Sequence, residues 1–337
     1  LHRKLRRSRR KALTPPSRLS AAAAQLAVEQ VDLATTLHID DGPCRGVHCH
    51  RMPPDLPPPV LSALTTLLKE GKLDLPVLPD TAARVVQLCG DDRCESKTLA
   101  DLIGRDQGLA GNLMRLANSP MYCGNSPIVS LNQAVARLGF GKIRELALII
   151  SCQAKVFAVP GQESWVKEQF RHALCTGLYA QELARCKRMN VEEGFLCGLL
   201  HDVGRPVLMV TLLDLHRNCK LPPSMPGIHQ TIEALHATVG GQLVTSWTLP
   251  ARLGETIRHH HHPAKAEAAQ QTAWLANFAD DIAQWAMGTY IAGDVLPTDD
   301  DIRGHAALAD LNLYPEQVDA LMEQRERICG LVKSFGG

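Results

Sequence analysis

The sequence is poor in aromatic side chains and carries almost no net charge. Phe, Trp and Tyr make up 4% of its 337 residues, and 36 Lys and Arg residues are balanced by 35 Asp and Glu residues. A net charge of +1 creates no overall field that would attract the protein to nucleic acid or to an acidic membrane surface. The composition therefore argues against nucleic acid or membrane as the main partner.

The chain also lacks long apolar runs and a regular cysteine pattern. No run of 18 apolar residues occurs, which predicts that no helix spans a membrane. The basic start, LHRKLRRSRRK, has no apolar segment after it, unlike a secretory signal. The 11 Cys residues are odd in number and irregularly spaced, which is typical of reduced, buried thiols. These features predict a cytoplasmic protein without a disulfide framework.

What the chain does have is a nearly continuous helical pattern from residue 60 onward. Hydrophobic residues make up 45% of the sequence, with abundant Ala and Leu, and they recur at helical spacing. This pattern predicts an all-α fold and argues against a parallel sheet. The predicted helices after residue 59 cover 60–70, 81–89, 97–104, 107–118, 130–138, 142–157, 163–188, 192–200, 205–218, 229–247, 250–261, 267–288 and 315–334.

Proline and glycine clusters divide the chain into three parts. Residues 1–59 form a basic N-terminal extension with one helix at 19–37 and a Pro-rich linker at 40–59. Residues 60–158 form a first helical lobe, and residues 159–337 form a second. The first lobe has no clustered His residues or paired carboxylates, so we expect no catalytic residues there.

Two features of the extension have alternative interpretations. Residues 1–18 are typical of a solvated basic arm, and no interleaved aromatics support a nucleic-acid contact. Cys44, His48, Cys49 and His50 lie close together in the linker. A metal knuckle there would need a second ligand pair at zinc-finger spacing, and none follows.

The chain concentrates histidines and carboxylates in its second lobe. Nine of its 14 histidines lie between His172 and His262. Neutral imidazole nitrogens and anionic carboxylate oxygens together suit Fe, Mn, Zn or Mg at a site that activates water. The candidate ligands are Glu168, His172, His201, Asp202, His236, His260, His261 and Asp280.

The spacing of these residues is compatible with shared metal sites on helices. Glu168 and His172 are four residues apart, so they project from one helix face. His201 and Asp202 are adjacent and would point about 100° apart on a regular helix. They can reach one ion only at a helix end or kink, which we expect Gly204 to supply.

The remaining candidates have simpler alternatives. His236 lies on an apolar helix face and could be a satisfied core histidine. Asp280 lies on an apolar helix, where a buried carboxylate must be paired or coordinated. His260 and His261 precede Pro263 and could form an ordinary polar helix end. The joint pattern of all eight residues favours a metal site over these separate interpretations.

The ordered motifs resemble the HDOD domain, a branch of the HD phosphohydrolase superfamily, over about residues 76–285. The second-lobe match includes an Ile-x-x-His-His-x-Pro pattern, which selects His260 and His261 over His259. The matching segments are 75–79, 102–106, 115–120 and 134–139 in the first lobe, and 198–205, 236–240, 247–250 and 257–263 in the second.

The resemblance implies a two-lobed, all-α fold and a role in bacterial signal transduction. Many similar proteins have lost ligands of the HD set, whereas here all eight positions still hold possible ligands for one or two divalent ions (Fe, Mn, Mg, Zn or Ni). The Gly-Tyr-Pro signature of catalytic HD-GYP relatives is absent, since His261 is followed by residues HPAK. Arg205 replaces the Lys that often follows Gly in their HD motif and could contact a phosphate.

Two functions remain open from the sequence. The first is a regulatory module with a retained metal site, which binds signalling proteins or a phosphate-containing small molecule. The alternative is a metal-dependent phosphohydrolase acting on a nucleotide or cyclic di-nucleotide, with Asp202 bridging two ions and Arg205 stabilising charge. In both cases we expect function in the cleft between the lobes, because His201, Asp202, His260 and His261 lie at helix ends that should open toward a surface.

Overall fold

The computed structural model describes residues 56–335, apart from 78, 92, 119–125, 154–157 and 289–295. Every regular element in this part of the chain is helical, which confirms the predicted all-α fold. The predicted helix at 19–37 and the Cys and His cluster of the linker lie outside the described residues.

Fifteen α-helices, numbered α1 to α15 in chain order, and two short 3-10 helices (Pro263–Lys265 and Glu267–Ala269) make up the described structure. The first five are α1 (Pro58–Lys69), α2 (Asp80–Leu88), α3 (Ser96–Ile103), α4 (Gln107–Ala117) and α5 (Leu131–Ser151). The next six are α6 (Glu163–Cys186), α7 (Val191–Leu200), α8 (Gly204–Asn218), α9 (Met225–Ser246), α10 (Ala251–His259) and α11 (Gln270–Met287). The last four are α12 (Asp299–Arg303), α13 (Ala307–Asp310), α14 (Pro315–Met322) and α15 (Arg325–Phe335).

The first lobe packs α2, α3 and α4 against the long helix α5. Ser130 caps α5, since its side chain accepts a hydrogen bond from the backbone N–H of Gln133. The predicted break is also present, because Gly139 has a left-handed φ of 77° and kinks the helix. Leu99, Leu113 and other aliphatic side chains are fully buried between these helices.

The second lobe is built around α6, which packs against α7 and α11. Helix α8 pairs with α9, and α9 pairs with α10. The lobes are in contact through α1 and α8. Nε1 of Trp247 also donates a hydrogen bond to the carbonyl oxygen of Pro76, at 2.8 Å. The exact boundaries of the lobes stay predictions.

The structure differs from the sequence prediction near the C-terminus. The helix predicted at 315–334 is two helices, α14 and α15, because the chain turns after Met322. The carbonyl of Gln324 accepts the N–H of Ile328 and opens the second helix. Neither Gly nor Pro marks this turn, so the periodicity of the sequence did not reveal it.

One stretch, Val191–Asn218, is apolar and long enough to cross a membrane by length and composition. In the structure it is not one rod but α7 and α8, with a turn at 201–203 between them. Its most apolar window is 83% buried inside the fold. These properties are typical of core helices.

Candidate metal centre

Seven of the eight predicted ligands converge in two neighbouring groups in the second lobe. In each group, one nitrogen or oxygen atom per residue lies within 4.8 Å of the others. The first group, called site A, contains Asp202, His236, His260 and His261. The second group, called site B, contains His172, His201 and Asp280.

The turn between α7 and α8 holds the central pair, His201 and Asp202. Two glycines flank this turn and let it pack closely against the neighbouring helices. A Cβ on Gly198 would lie 2.5 Å from the carbonyl oxygen of Thr176 on α6. A Cβ on Gly204 would lie 2.1 Å from the carbonyl oxygen of His236 on α9. We expected Gly204 to end the preceding helix. It instead begins α8, at a tight contact between two helices.

Backbone carbonyls orient three of the histidine rings toward the centre. Nδ1 of His201 lies 2.7 Å from the carbonyl oxygen of Gly198, and Nδ1 of His260 lies 2.7 Å from that of Ile257. His236 makes the same contact with its own helix. Because a carbonyl can only accept, each Nδ1 carries a proton, and in the neutral form of the ring Nε2 presents its lone pair to a metal. This is how metal-binding histidines are usually held.

Asp202 lies between the two sites and faces both. Its Oδ1 atom is 3.2 Å from Nε2 of His236 and 3.7 Å from Nε2 of His260, both in site A. Its Oδ2 atom is 3.3 Å from Nε2 of His201 in site B. A carboxylate with one oxygen toward each group is suited to bridge two ions.

Site B is completed by Asp280 from α11. Its Oδ1 atom lies 2.8 Å from Nε2 of His172 and 3.6 Å from Nε2 of His201. Nε2 of Gln284, one turn further along α11, donates a hydrogen bond to the same oxygen at 3.1 Å. The buried carboxylate thus has the partners that its position on an apolar helix demands.

The electrostatics of the centre keep both carboxylates ionised. Burial would raise the pKa of Asp202, but the positive charges of Arg205 and His201 outweigh it and hold the pKa well below its usual range. Burial likewise opposes ionisation of Asp280, and contacts with His201 and His172 hold its pKa low. Two anionic oxygen donors are therefore present at neutral pH.

The surroundings of the histidines shift their pKa values in opposite directions. Burial lowers the pKa of His236 to about 3 and that of His260 to about 4, so both rings are neutral at pH 7. Burial also opposes the charged form of His201, but the carboxylates of Asp202 and Asp280 outweigh it and raise the pKa to about 10. Site A thus offers neutral nitrogen ligands, whereas His201 must release a proton before it can bind a metal.

The strongest indication that the residues fit a metal is a set of buried atoms with unmet bonding capacity. Nε2 of His201, Nε2 of His260 and Oδ1 of Asp202 have no hydrogen-bond partner in the described part of the chain. Buried polar atoms are normally paired, and exceptions of this kind require an explanation. Their convergence suits a divalent cation of borderline hardness, such as Fe, Mn, Zn or Ni.

Two predicted site residues have surroundings that differ from those expected. Glu168 lies outside both groups, where its Oε1 atom accepts a hydrogen bond from Arg171 at 2.8 Å. Arg205 adjoins the centre, but its guanidinium is bound to two carboxylates. Nε donates to Oδ2 of Asp202 at 2.6 Å, and the two terminal nitrogens donate to the carboxylate of Glu233.

Glu233 is the residue beside the centre that sequence reasoning missed. It lies three residues before His236 on α9, so the two share a helix face. The sequence offered two signals for Glu233: its three-residue spacing from His236, and the lack of an assigned acidic partner for Arg205. A single Glu on a long helix is too common to attract attention by itself.

The metal centre is more enclosed than we expected from the positions of its residues at helix ends. His201 and His260 are fully buried and Asp202 is 3% exposed, whereas His261 is half-buried. The expectation that all four residues open toward a surface was therefore wrong for three of them. The turn at 201–203 and the end of α10 are covered by neighbouring helices of the second lobe. A functional cleft between the lobes stays a prediction.

Comparison with known proteins gives a consistent family assignment. The family model of the HDOD domain matches residues 75–263, more than half of the chain. An uncharacterized protein of Treponema pallidum is 25% identical over 198 residues, which cover 56% of this chain and 38% of that protein. The chain thus spans well under half the length of this relative.

Three solved structures share the fold. An HDOD domain protein of unknown function from Geobacter sulfurreducens has a TM-score of 0.64 and 22% identity, covering 82% of this chain and 98% of its own. A candidate metal-dependent phosphohydrolase from Shewanella amazonensis has a TM-score of 0.59 and 19% identity, with the same coverages. A candidate signal transduction protein from Marinobacter aquaeolei has a TM-score of 0.56 and 21% identity, covering 94% of this chain and 66% of its own.

Proposed function

This chain belongs to the HDOD domain family, and from that membership we propose that it is a regulatory module of bacterial signal transduction that binds divalent metal. Its partners on this proposal are signalling proteins or a phosphate-containing small molecule in the cytoplasm. The metal is held by sites A and B and stabilises the second lobe.

The observation that carries the metal part of the proposal is the set of buried, unpaired ligand atoms. Nε2 of His201, Nε2 of His260 and Oδ1 of Asp202 lie close together and have no hydrogen-bond partner in the described part of the chain. A buried polar group that makes no hydrogen bond costs about 1–3 kcal/mol. An ion bound there removes this cost.

The observation that favours regulation over hydrolysis is the enclosure of the centre. His201 and His260 are fully buried, and Asp202 is 3% exposed. A catalytic ion keeps an open coordination position that a substrate can reach. Hydrolysis would therefore require the residues that cover these three ligands to move.

A second candidate function, a metal-dependent phosphohydrolase, is favoured by the position of Asp202. Its two oxygens face site A and site B, as a carboxylate that bridges two ions would. When bound, such ions supply Lewis acidity toward a phosphoryl oxygen. The residues of this chain would contribute ligand geometry and exclusion of water.

Elemental analysis and a hydrolysis screen separate the two functions. Protein purified without chelators should contain metal, and Asp202→Ala protein should contain little. On the regulatory proposal, wild-type protein loaded with Mn, Fe, Mg, Zn or Ni hydrolyses no cyclic di-nucleotide, nucleotide or generic phosphoester. Hydrolysis that Asp202→Ala abolishes would replace the regulatory proposal by the enzymatic one. Metal-free protein in both preparations would refute both.

A further inference from the structure

Arg205 connects the metal centre to a carboxylate at the protein surface. On one side, its Nε atom donates to Oδ2 of Asp202, whose side chain is 4% exposed. On the other side, its two terminal nitrogens donate to both oxygens of Glu233, whose side chain is 35% exposed. The guanidinium itself is buried, so it is held between one inaccessible anion and one accessible anion.

Helix α9 extends this arrangement outward from the metal centre. His236, Glu233 and His229 follow one another at helical spacing on one face. His229 stacks on Trp165, with ring centroids 6.1 Å apart and an angle of 25° between the planes. Its Nε2 atom is buried and has no hydrogen-bond partner in the described part of the chain. Burial and the nearby charge of Arg205 lower its pKa, so the ring is neutral at pH 7.

We propose that the side of Arg205 held by Glu233 is a binding site for a phosphate group, and that Glu233 is the internal anion that occupies it in the absence of ligand. Phosphate and carboxylate make the same paired contact with a guanidinium. His229 then offers a further polar atom beside the anion, and Trp165 offers an adjacent aromatic face. This inference rests on the proposed regulatory function, since it names the chemical class of ligand that such a module would bind.

A phosphate can displace Glu233 from Arg205, and not Asp202, because the carboxylate of Glu233 is much more exposed to solvent than that of Asp202. Removing Asp202 from Arg205 would leave a buried, unpaired charge, which is strongly unfavourable. Glu233 can instead turn toward solvent, where water compensates its charge. A phosphate that carries up to two negative charges can therefore replace Glu233 without disturbing the metal ligand.

Titration calorimetry with inorganic phosphate and with adenosine monophosphate tests the site. Both ligands are titrated into metal-loaded and chelator-stripped protein, and metal content is measured for each preparation. Glu233→Gln removes the competing charge while keeping the shape of the side chain, so phosphate should bind at least about tenfold more tightly than to wild type. The increase should occur in both metal states.

Glu193→Gln is the matched control. Glu193 lies on α7, is also partly exposed, and faces Nε of Arg252 at 3.4 Å. This variant should leave phosphate affinity within about twofold of wild type. Tighter binding of adenosine monophosphate than of phosphate would assign a nucleotide to the site, and equal binding would assign phosphate alone.

Several results would overturn the proposal. These are equal phosphate affinity in wild type and Glu233→Gln, an equal gain in Glu193→Gln, or binding that disappears when metal is stripped. The last result would assign the phosphate to the metal and not to Arg205. A gain in Glu233→Gln in protein that never contains metal would support this site and refute the proposed metal function, so the two failures are distinguishable.

Discussion

Oδ1 of Asp280 lies 2.8 Å from Nε2 of His172, although the two residues come from different helices, α11 and α6. The next residue, Asp281, faces the other way, where its Oδ2 atom lies 2.8 Å from Nε2 of His305. Two adjacent carboxylates on one helix therefore serve different partners. One belongs to site B, and the other links α11 to the start of α13.

This division predicts different effects of two otherwise identical substitutions. Asp280→Asn removes an anionic ligand from site B, so metal content should fall by about half or more, as ligand loss lowers metal affinity steeply. Asp281→Asn removes the same charge outside both sites and should retain the wild-type content. Elemental analysis of both proteins, purified without chelators, checks this. Equal metal loss in both variants would contradict the assignment of Asp280.

Metal removal should lower the thermal stability of the wild type. An ion at 100 times its dissociation constant stabilises the folded state by about 2.7 kcal/mol, because it binds the folded chain and not the unfolded one. Treatment with a chelator should therefore lower Tm by about 5 °C or more. Asp202→Ala protein should melt at the same temperature with and without chelator. A chelator effect of equal size in both proteins would show that the ion binds elsewhere.

The sequence predicted the helical content and most of the residues that converge in sites A and B, because each has a local signal. Apolar residues at helical spacing located α6 and α7 within a few residues. His201, Asp202 and His260 were recognisable because rare residue types cluster in ordered motifs. Their convergence follows from the family fold to which those motifs belong.

The sequence could not predict features that depend on how helices pack. Glu233 became relevant only when α8 and α9 brought its carboxylate to Arg205. Glu168 shares a helix face with His172, as predicted, but its carboxylate meets Arg171 instead. The role of Gly204 was also hidden, because its close neighbour, the carbonyl of His236, is distant in sequence.

Gly204→Ala should destabilise the second lobe. The new Cβ would meet the carbonyl oxygen of His236 at 2.1 Å and the backbone nitrogen of Gly240 at 2.8 Å, so α8 and α9 must separate. Overpacking of this kind costs about 1–3 kcal/mol or more in the free energy of unfolding. Urea denaturation measures the change, and metal content should fall with it because Asp202 lies two residues before α8 and His236 lies on α9.

Gly111→Ala on α4 is the control for this substitution. Apart from its chain neighbours and the backbone of its own helix, no atom of the described residues lies within 4 Å of the Cβ it would add, so the change should stabilise the protein by about 0.5–1 kcal/mol through helix propensity alone. A Gly204→Ala protein as stable as wild type would contradict the tight contact between α8 and α9.

The thiol of Cys329 on α15 should be reactive at neutral pH. A hydrogen bond from the buried thiol of Cys175, with further help from Arg325, lowers its pKa to about 6 despite partial burial. The thiol is protonated below that pH and becomes thiolate above it, so alkylation by iodoacetamide should rise through about pH 6 and then level off. Mass spectrometry of the labelled peptide at a series of pH values measures this profile.

Cys89 provides the comparison, since it is also partly exposed but has its pKa raised to about 12 by burial. Its alkylation should still be increasing at pH 9, where that of Cys329 is constant. At pH 7 a much larger fraction of Cys329 than of Cys89 is thiolate. The lower nucleophilicity of a more acidic thiol offsets part of this advantage, so Cys329 should be alkylated faster than Cys89 by a factor on the order of 100. Replacing Cys175 by Ala removes this hydrogen bond and should move the Cys329 profile to higher pH. A profile for Cys329 centred near pH 8.5 in the wild type, or one that Cys175→Ala leaves in place, would contradict the pairing of these two thiols.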